Sequence, residues 1–321
     1  MQKPRGYDKI VTTLKHYTYP PVVIIETINK CNLSCVMCPQ GQLTRPIGSM
    51  PEYLYRKIID DIALYSPDQT QLWLAIMGEV LLLKDRALDY IKYAVERGLS
   101  QVNLNTNLAA VDEKFCVELV KTGVHKIIVG LDAATSETYA KIRRGGDFNR
   151  VMANIEAILK TKAELNSKHP ELILQFIEQD DNRHEMELFK ETFRHKPVTL
   201  KLRQRLGWGT GVEAANLDLP PESRTFPCPW LTRTMSIHVT GQVAQCDAAW
   251  NGQYYYGDLN FQSIAEVWNG HLAEIRRRHW MGNFDFEPCR SCRDWQCGLS
   301  EWIYYRDDKA PELVNDICQA G

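Results

Sequence analysis

Between Pro20 and Leu206 the chain switches period repeatedly, and that switching limits its possible folds more than any other feature. Short apolar, β-branched runs alternate with segments whose apolar residues recur every three or four positions. PVVIIET, QLWLAIM, SQVNLNTN, KIIVGLD, ELILQFIEQ and VTLKLRQRL read as six strands. YLYRKIIDDIALY, ALDYIKYAVERG, DEKFCVELVKTG, TSETYAKI, FNRVMANIEAILKTKAEL and RHEMELFKETFRH read as helices between them, with Gly98 and Gly123 as stops. Strand–helix alternation of this kind predicts parallel βα units. Six such units make an incomplete barrel, and reaction centres on these sheets form at the carboxyl ends of the strands.

The first of those ends is followed at once by CNLSCVMC, three cysteines in eight residues. Three is odd for disulfides and one short of a four-thiolate metal site. A [4Fe–4S] cluster ligated by Cys31, Cys35 and Cys38 would leave one iron open for a small chelating ligand. A zinc site is the bland alternative for a lone CxxxCxxC.

After Leu206 the character changes. GWGTG and LPPESRTFPCP read as a boundary, giving a lead segment at 1–19, a barrel at 20–212 and a smaller unit at 213–321. The smaller unit holds six of the ten cysteines, the strand-like pieces TMSIHV and QVAQC around a VTGQV turn, and one helix over SIAEVWNGHLAEIRRRHW. Its RRRH run reads as a solvated helix face, and Trp230, Trp250, Trp268 and Trp295 as core. Cys116, at an apolar helical position, also reads as core. The histidines show no metal-binding spacing.

The net charge of −2 excludes a strong general attraction to nucleic acid or anionic membrane. The first residues lack an apolar h-region, and no run of about 18 apolar residues occurs, so neither a secretory signal nor a membrane span is expected. Ten cysteines in a reducing cytoplasm read as metal ligands before disulfides.

The spacing C-x3-C-x2-C resembles that of the radical SAM superfamily, and later stretches extend the likeness. MGEVLLLKD is similar to the family's GGEPLL, with Gly78 and Glu79 matching while Met77 and Val80 replace its first glycine and its proline. NTNLA is similar to TNG, with Asn107 matching and Leu108 in the glycine's place. IIVGLDAATSETYAKIRRGGDF resembles ISLDG…YxxIRxG, with Asp132 and Arg143 matching and Gly130 where serine is common. The C-terminal pattern (a cysteine, a hairpin ending GxxxxC at Gly241 and Cys246, a helix, then CxxC) resembles the SPASM domain and its shortened twitch form.

The resemblance implies a partial (β/α)6 TIM-like barrel followed by a small α+β SPASM/twitch domain. It implies S-adenosylmethionine (SAM) chelated to the open iron and cleaved to a 5′-deoxyadenosyl radical, which takes a hydrogen atom from a substrate. Met37, Gly78, Glu79, Asn107, Asp132 and Arg143 would contact SAM. Cys228, Cys246, Cys289 and Cys292 would hold one auxiliary [4Fe–4S] cluster, with zinc and a two-cluster arrangement as alternatives. Cys297 and Cys318 are then left over, and Cys297 is the candidate hydrogen-atom donor of an epimerase. A flavodoxin- or ferredoxin-type protein would supply electrons. Only ~20 residues precede the first strand, too few for a peptide-recognition domain. The expected substrate is therefore small and polar (a sugar, aminocyclitol or nucleoside), with dehydrogenation or epimerisation as the outcome. A peptide maturase, a glycyl-radical activase and a non-enzymatic metal-stabilised binding module are the rivals.

Overall fold

The computed structural model describes residues 14–213, 219–299, 301–304 and 312–315, with backbone alone for 297–299 and the last two stretches. The six anticipated strands form: β1 (Val22–Ile25), β2 (Gln71–Leu74), β3 (Val102–Thr106), β4 (Lys126–Gly130), β5 (Glu171–Glu178) and β6 (Thr199–Gln204). Neighbours pair in parallel in the order 6-5-4-3-2-1. The helices between them are α1 (Glu52–Tyr65), α2 (Asp85–Glu96), α3 (Glu113–Lys121), α4 (Ser136–Ile142), α5 (Phe148–Glu164) and α6 (Met186–Phe193). Side-chain caps from Asp112, Thr135 and Asp147 start three of them.

The two faces of this sheet differ. Val23, Ile25, Leu72, Leu74, Ile127, Val129, Leu174, Phe176, Leu200 and Leu202 are buried in one core cluster with the helices. The alternate residues Gln71, Trp73, Lys126, Gln175, Lys201 and Arg203 line a cavity of about 350 Å³. Period-2 alternation thus seals the outer face and turns polar and charged side chains into the lumen beside apolar ones such as Ile24 and Ile128.

The C-terminal residues add α7 (Pro229–Arg233), β7 (Thr234–Ile237), β8 (Gln242–Ala244), β9 (Tyr255–Asp258), α8 (Ile264–Asn269), α9 (His271–Trp280), β10 (Glu301–Tyr304) and β11 (Glu312–Asn315). The helix expected over 263–280 is two helices. Gly270 breaks it, in a non-helical conformation where a Cβ would lie 2.7 Å from the Glu266 carbonyl oxygen. The smaller unit also does not form a sheet of its own. β7 pairs in parallel with β1, and β10 pairs antiparallel with β6, so the described strands make one continuous sheet. No described helix is long and apolar enough to cross a membrane.

Candidate active site

Four loops dock on the three-cysteine segment, two through backbone–backbone hydrogen bonds and two through side chains. The loop after β2 arrives through Glu79 N–H, which donates to Lys30 O at 3.0 Å. Gly78 is required there, because a Cβ would lie 2.0 Å from Ile28 O. The end of α4 arrives through Ser34 N–H to Arg144 O at 3.0 Å and Val36 N–H to Ile142 O at 3.1 Å. The loop after β6 arrives through Trp208 Nε1–H to Met37 O at 3.2 Å and the Arg205 guanidinium to Val36 O at 3.2 Å. The loop after β3 arrives through Asn107, whose side-chain amide donates to Asn32 Oδ1 at 3.0 Å and lies 3.8 Å from Cys31 Sγ.

Several of these turns carry backbone strain. Ile76, Leu108, Asp132 and Trp208 all adopt positive φ, at 95°, 58°, 58° and 50°. Each stands just beyond a strand's carboxyl end. Left-handed conformations cost non-glycine residues about 1–2 kcal/mol and persist only where the surroundings impose them. Leu108 takes the conformation that the glycine of the resembled TNG motif adopts freely, and its side chain is fully buried.

The charged groups at this rim are tied down. The Glu79 carboxylate is 2% exposed. It accepts from Thr106 Oγ1 at 2.7 Å, Asn107 N at 2.7 Å and Leu81 N at 3.1 Å. Burial raises its pKa, and those donors oppose the rise. Arg143 Nε donates to Asp132 Oδ2 at 2.7 Å, with a second contact through Nη2. Its Nη1 lies 3.7 Å from Cys35 Sγ. Burial disfavours the guanidinium charge, but Asp132 and Cys35 outweigh it and the net direction is upward. Asp132 is itself fixed by Ile177 N–H at 2.7 Å. Gly130, in place of serine, makes room for this pair, since a Cβ there would lie 2.2 Å from the Arg143 guanidinium.

Cys31, Cys35, Cys38, Met37, Gly78, Glu79, Asn107 and Arg143 line the cavity together. Asp132 lies behind them and reaches it through Arg143. Burial pushes the Cys31 thiol up to about 11 and Cys38 up to about 12, with the neighbouring cysteines adding to the rise. Thiols in this state need a cation to become thiolates, and an iron cluster supplies one.

The second set is deeper. Cys228, Cys246, Cys289 and Cys292 are all buried, and burial raises all four pKa values. They are close enough to repel one another as thiolates. Among the described residues no three His, Cys, Asp or Glu side chains gather tightly enough for a single metal ion. A four-iron cluster asks for less, since each thiolate meets its own iron. The donor chemistry of both sets fits [4Fe–4S] clusters. None of the four lines the cavity, but the residues next to two of them do: Pro229 and Trp230 after Cys228, and Asp247 after Cys246.

Sequence reasoning missed the surroundings of this second set. His279 and Arg276 of the RRRH run are buried rather than solvated. His279 Nδ1 accepts from Cys228 N–H at 3.2 Å, which leaves Nε2–H to donate to Cys289 Sγ at 3.2 Å. Gln245 Nε2 donates to the same sulfur at 3.2 Å. Arg276 stacks on Trp268, 3.6 Å from the ring centroid. Trp250, Trp268 and Trp295 are buried as expected, whereas Trp230 lines the cavity. Cys116 is buried in the core. The side chain of Cys297 and all of Cys318 lie outside the described residues.

Comparison with known proteins agrees with this architecture. Residues 25–167 match the model of the radical SAM superfamily, and residues 228–297 match SPASM, an iron–sulfur cluster-binding domain. A GTP 3′,8-cyclase of Clostridium botulinum is 25% identical over 192 residues, 58% of this chain and 57% of that one. The chain thus spans a little over half the length of that curated relative. BtrN, solved in complex with AdoMet and 2-DOIA, superposes with a TM-score of 0.59 at 17% identity over 85% of this chain and 92% of its own. SuiB of Streptococcus suis, bound to the precursor peptide SuiA, superposes at 0.66 with 12% identity over 91% and 74%. These likenesses extend the partial-barrel fold across most of the chain. The radical SAM domain implies SAM and a [4Fe–4S] cluster, and the SPASM description implies iron–sulfur rather than zinc in the second set. The chain is a radical SAM protein with a C-terminal SPASM domain.

Proposed function

We propose that this protein is a radical SAM enzyme that oxidises a small polar substrate at a C–H carbon. When bound, the first cluster and SAM supply a 5′-deoxyadenosyl radical, and a single auxiliary cluster supplies an electron acceptor. Cys31, Cys35 and Cys38 hold the first cluster, and Cys228, Cys246, Cys289 and Cys292 the second. Gly78, Glu79, Asn107 and the Asp132–Arg143 pair position the cofactor, and Met37 packs beside it.

One observation carries this reading. One cavity, with polar and apolar lining, is walled on one side by the three-thiol loop and on the other by residues adjoining the four-thiol set. A cavity of about 350 Å³ shared with a cofactor suits a compact substrate. Gln71, Gln175 and Asn105 on its wall offer amide donors and acceptors to hydroxyl groups. The names of two relatives point the same way, one for GTP and one solved with 2-DOIA. The second thiol set, one residue behind the cavity wall at Pro229 and Asp247, favours dehydrogenation over epimerisation, which needs a thiol donor instead.

The test is anaerobic reconstitution, with iron and sulfide counted per chain, followed by SAM and dithionite. About eight irons and formation of 5′-deoxyadenosine are expected. Turnover in deuterated water then separates the outcomes, because solvent deuterium in the product would mark epimerisation. Folded protein that binds no iron and forms no 5′-deoxyadenosine would overturn the reading.

A further inference from the structure

The β6 wall of the cavity carries positive charge. Lys201 and Arg203 stand two residues apart, on the lumen side of the strand. Arg233, at the end of α7 and just before β7, lines the same cavity. The Arg203 side chain makes no hydrogen bond or ion pair with any described residue, and its Nε is buried without an acceptor. The nearby carboxylates are committed elsewhere. Asp294 accepts from Gly207 N–H at 2.6 Å and Gly209 N–H at 2.8 Å. Asp247 accepts from the Ser236 hydroxyl. Both feel the field of Arg203 without touching it.

A guanidinium keeps its charge at any pH a protein tolerates and presents five N–H donors in a planar fork. Leaving those donors unmet in a confined cavity is costly, and the partner that meets them best is a pair of anionic oxygens. The cation beside the cysteine loop, Arg143, already has Asp132. Arg203 therefore serves a different ligand from the one at the three-thiol loop.

We propose that Arg203 anchors an anion subsite, flanked by Lys201 and Arg233, and that the substrate carries a carboxylate or phosphate bound there. This rests on the cavity being the substrate site. It also narrows the substrate class: a free amine would be repelled by this wall, so a sugar acid or sugar phosphate is favoured over an aminocyclitol.

Two measurements test it on the reconstituted holoenzyme. In the first, thermal shift is recorded with inorganic phosphate and with malonate. Wild type is expected to be stabilised by one of them, phosphate or malonate naming the group, while Arg203→Gln loses the response and Arg203→Lys keeps part of it. In the second, matched sugar phosphates, uronic acids, neutral sugars and aminocyclitols are compared for stimulation of 5′-deoxyadenosine formation. An anionic member should stimulate most, with KM raised about tenfold or more in Arg203→Gln. Equal anion shifts in wild type and Arg203→Gln, or stimulation by neutral or cationic compounds alone, would overturn the proposal. So would a SAM Kd weakened tenfold in Arg203→Gln, which would assign the residue to the cofactor. Loss of 5′-deoxyadenosine in wild type with the anion shift intact would instead undo the catalytic reading and leave the subsite standing.

Discussion

The two cysteine sets use the same side chain in opposite settings. Cys31, Cys35 and Cys38 come from one eight-residue segment, border an open cavity and are surrounded by strained turns. Cys228, Cys246, Cys289 and Cys292 are gathered from over 60 residues of sequence and are buried, and Cys289 Sγ receives N–H donors from Gln245 and His279. On the proposed reading, the first arrangement keeps a position accessible to an exchangeable ligand and the second encloses its cluster. The contrast teaches that the number of thiols matters less than what faces them.

The largest expected effect separates the sets outright. Replacing Cys31, Cys35 and Cys38 with alanine should abolish 5′-deoxyadenosine while about four irons remain bound; iron analysis and mass spectrometry read both. Product formed by this variant would break the comparison. Next comes the charge support of the first set. Asp132→Asn leaves Arg143 buried without its carboxylate and should cost about 3–5 kcal/mol in anaerobic urea unfolding. Leu108→Gly sets two terms against each other: relief of left-handed strain, about 1 kcal/mol, and the cavity left by a buried leucine, about 2–5 kcal/mol. A net loss of about 2 kcal/mol is expected, and a gain would mean that strain dominates this rim. The smallest effect belongs to the second set. Gln245→Leu and His279→Phe each remove an N–H donor to Cys289 Sγ, and should lower the auxiliary midpoint potential by an amount on the order of tens of mV. An EPR-monitored titration at full iron content checks this, and an unchanged potential would show that those donors only pack.

The strand–helix alternation was readable because its signals are local: β-branched runs, helical spacing, Asp112 as cap and Gly123 as stop. Gly78, Glu79, Asn107 and Asp132 could be singled out because each stands shortly after a strand end, whereas Arg143 comes from the end of α4. What the sequence concealed was long-range. Nothing local to Thr234–Ile237 says that it will pair with β1, and the Arg276 and His279 side chains read as exposed until Trp268 and Cys289 are brought beside them. Gly130 looked like a departure from the resembled motif. Its cause lies 13 residues away, in the guanidinium of Arg143.

The sheet also bears on how the chain is made. β1 is paired by β2 on one side and by β7, roughly 200 residues later, on the other. During synthesis β1 therefore waits as an open edge, and so does β6 until β10 emerges. Ribosome-bound chains ending before β7 should depend on chaperones to stay soluble, and the barrel alone should be a poor unit to express. The SPASM region thus doubles as the clasp that completes folding.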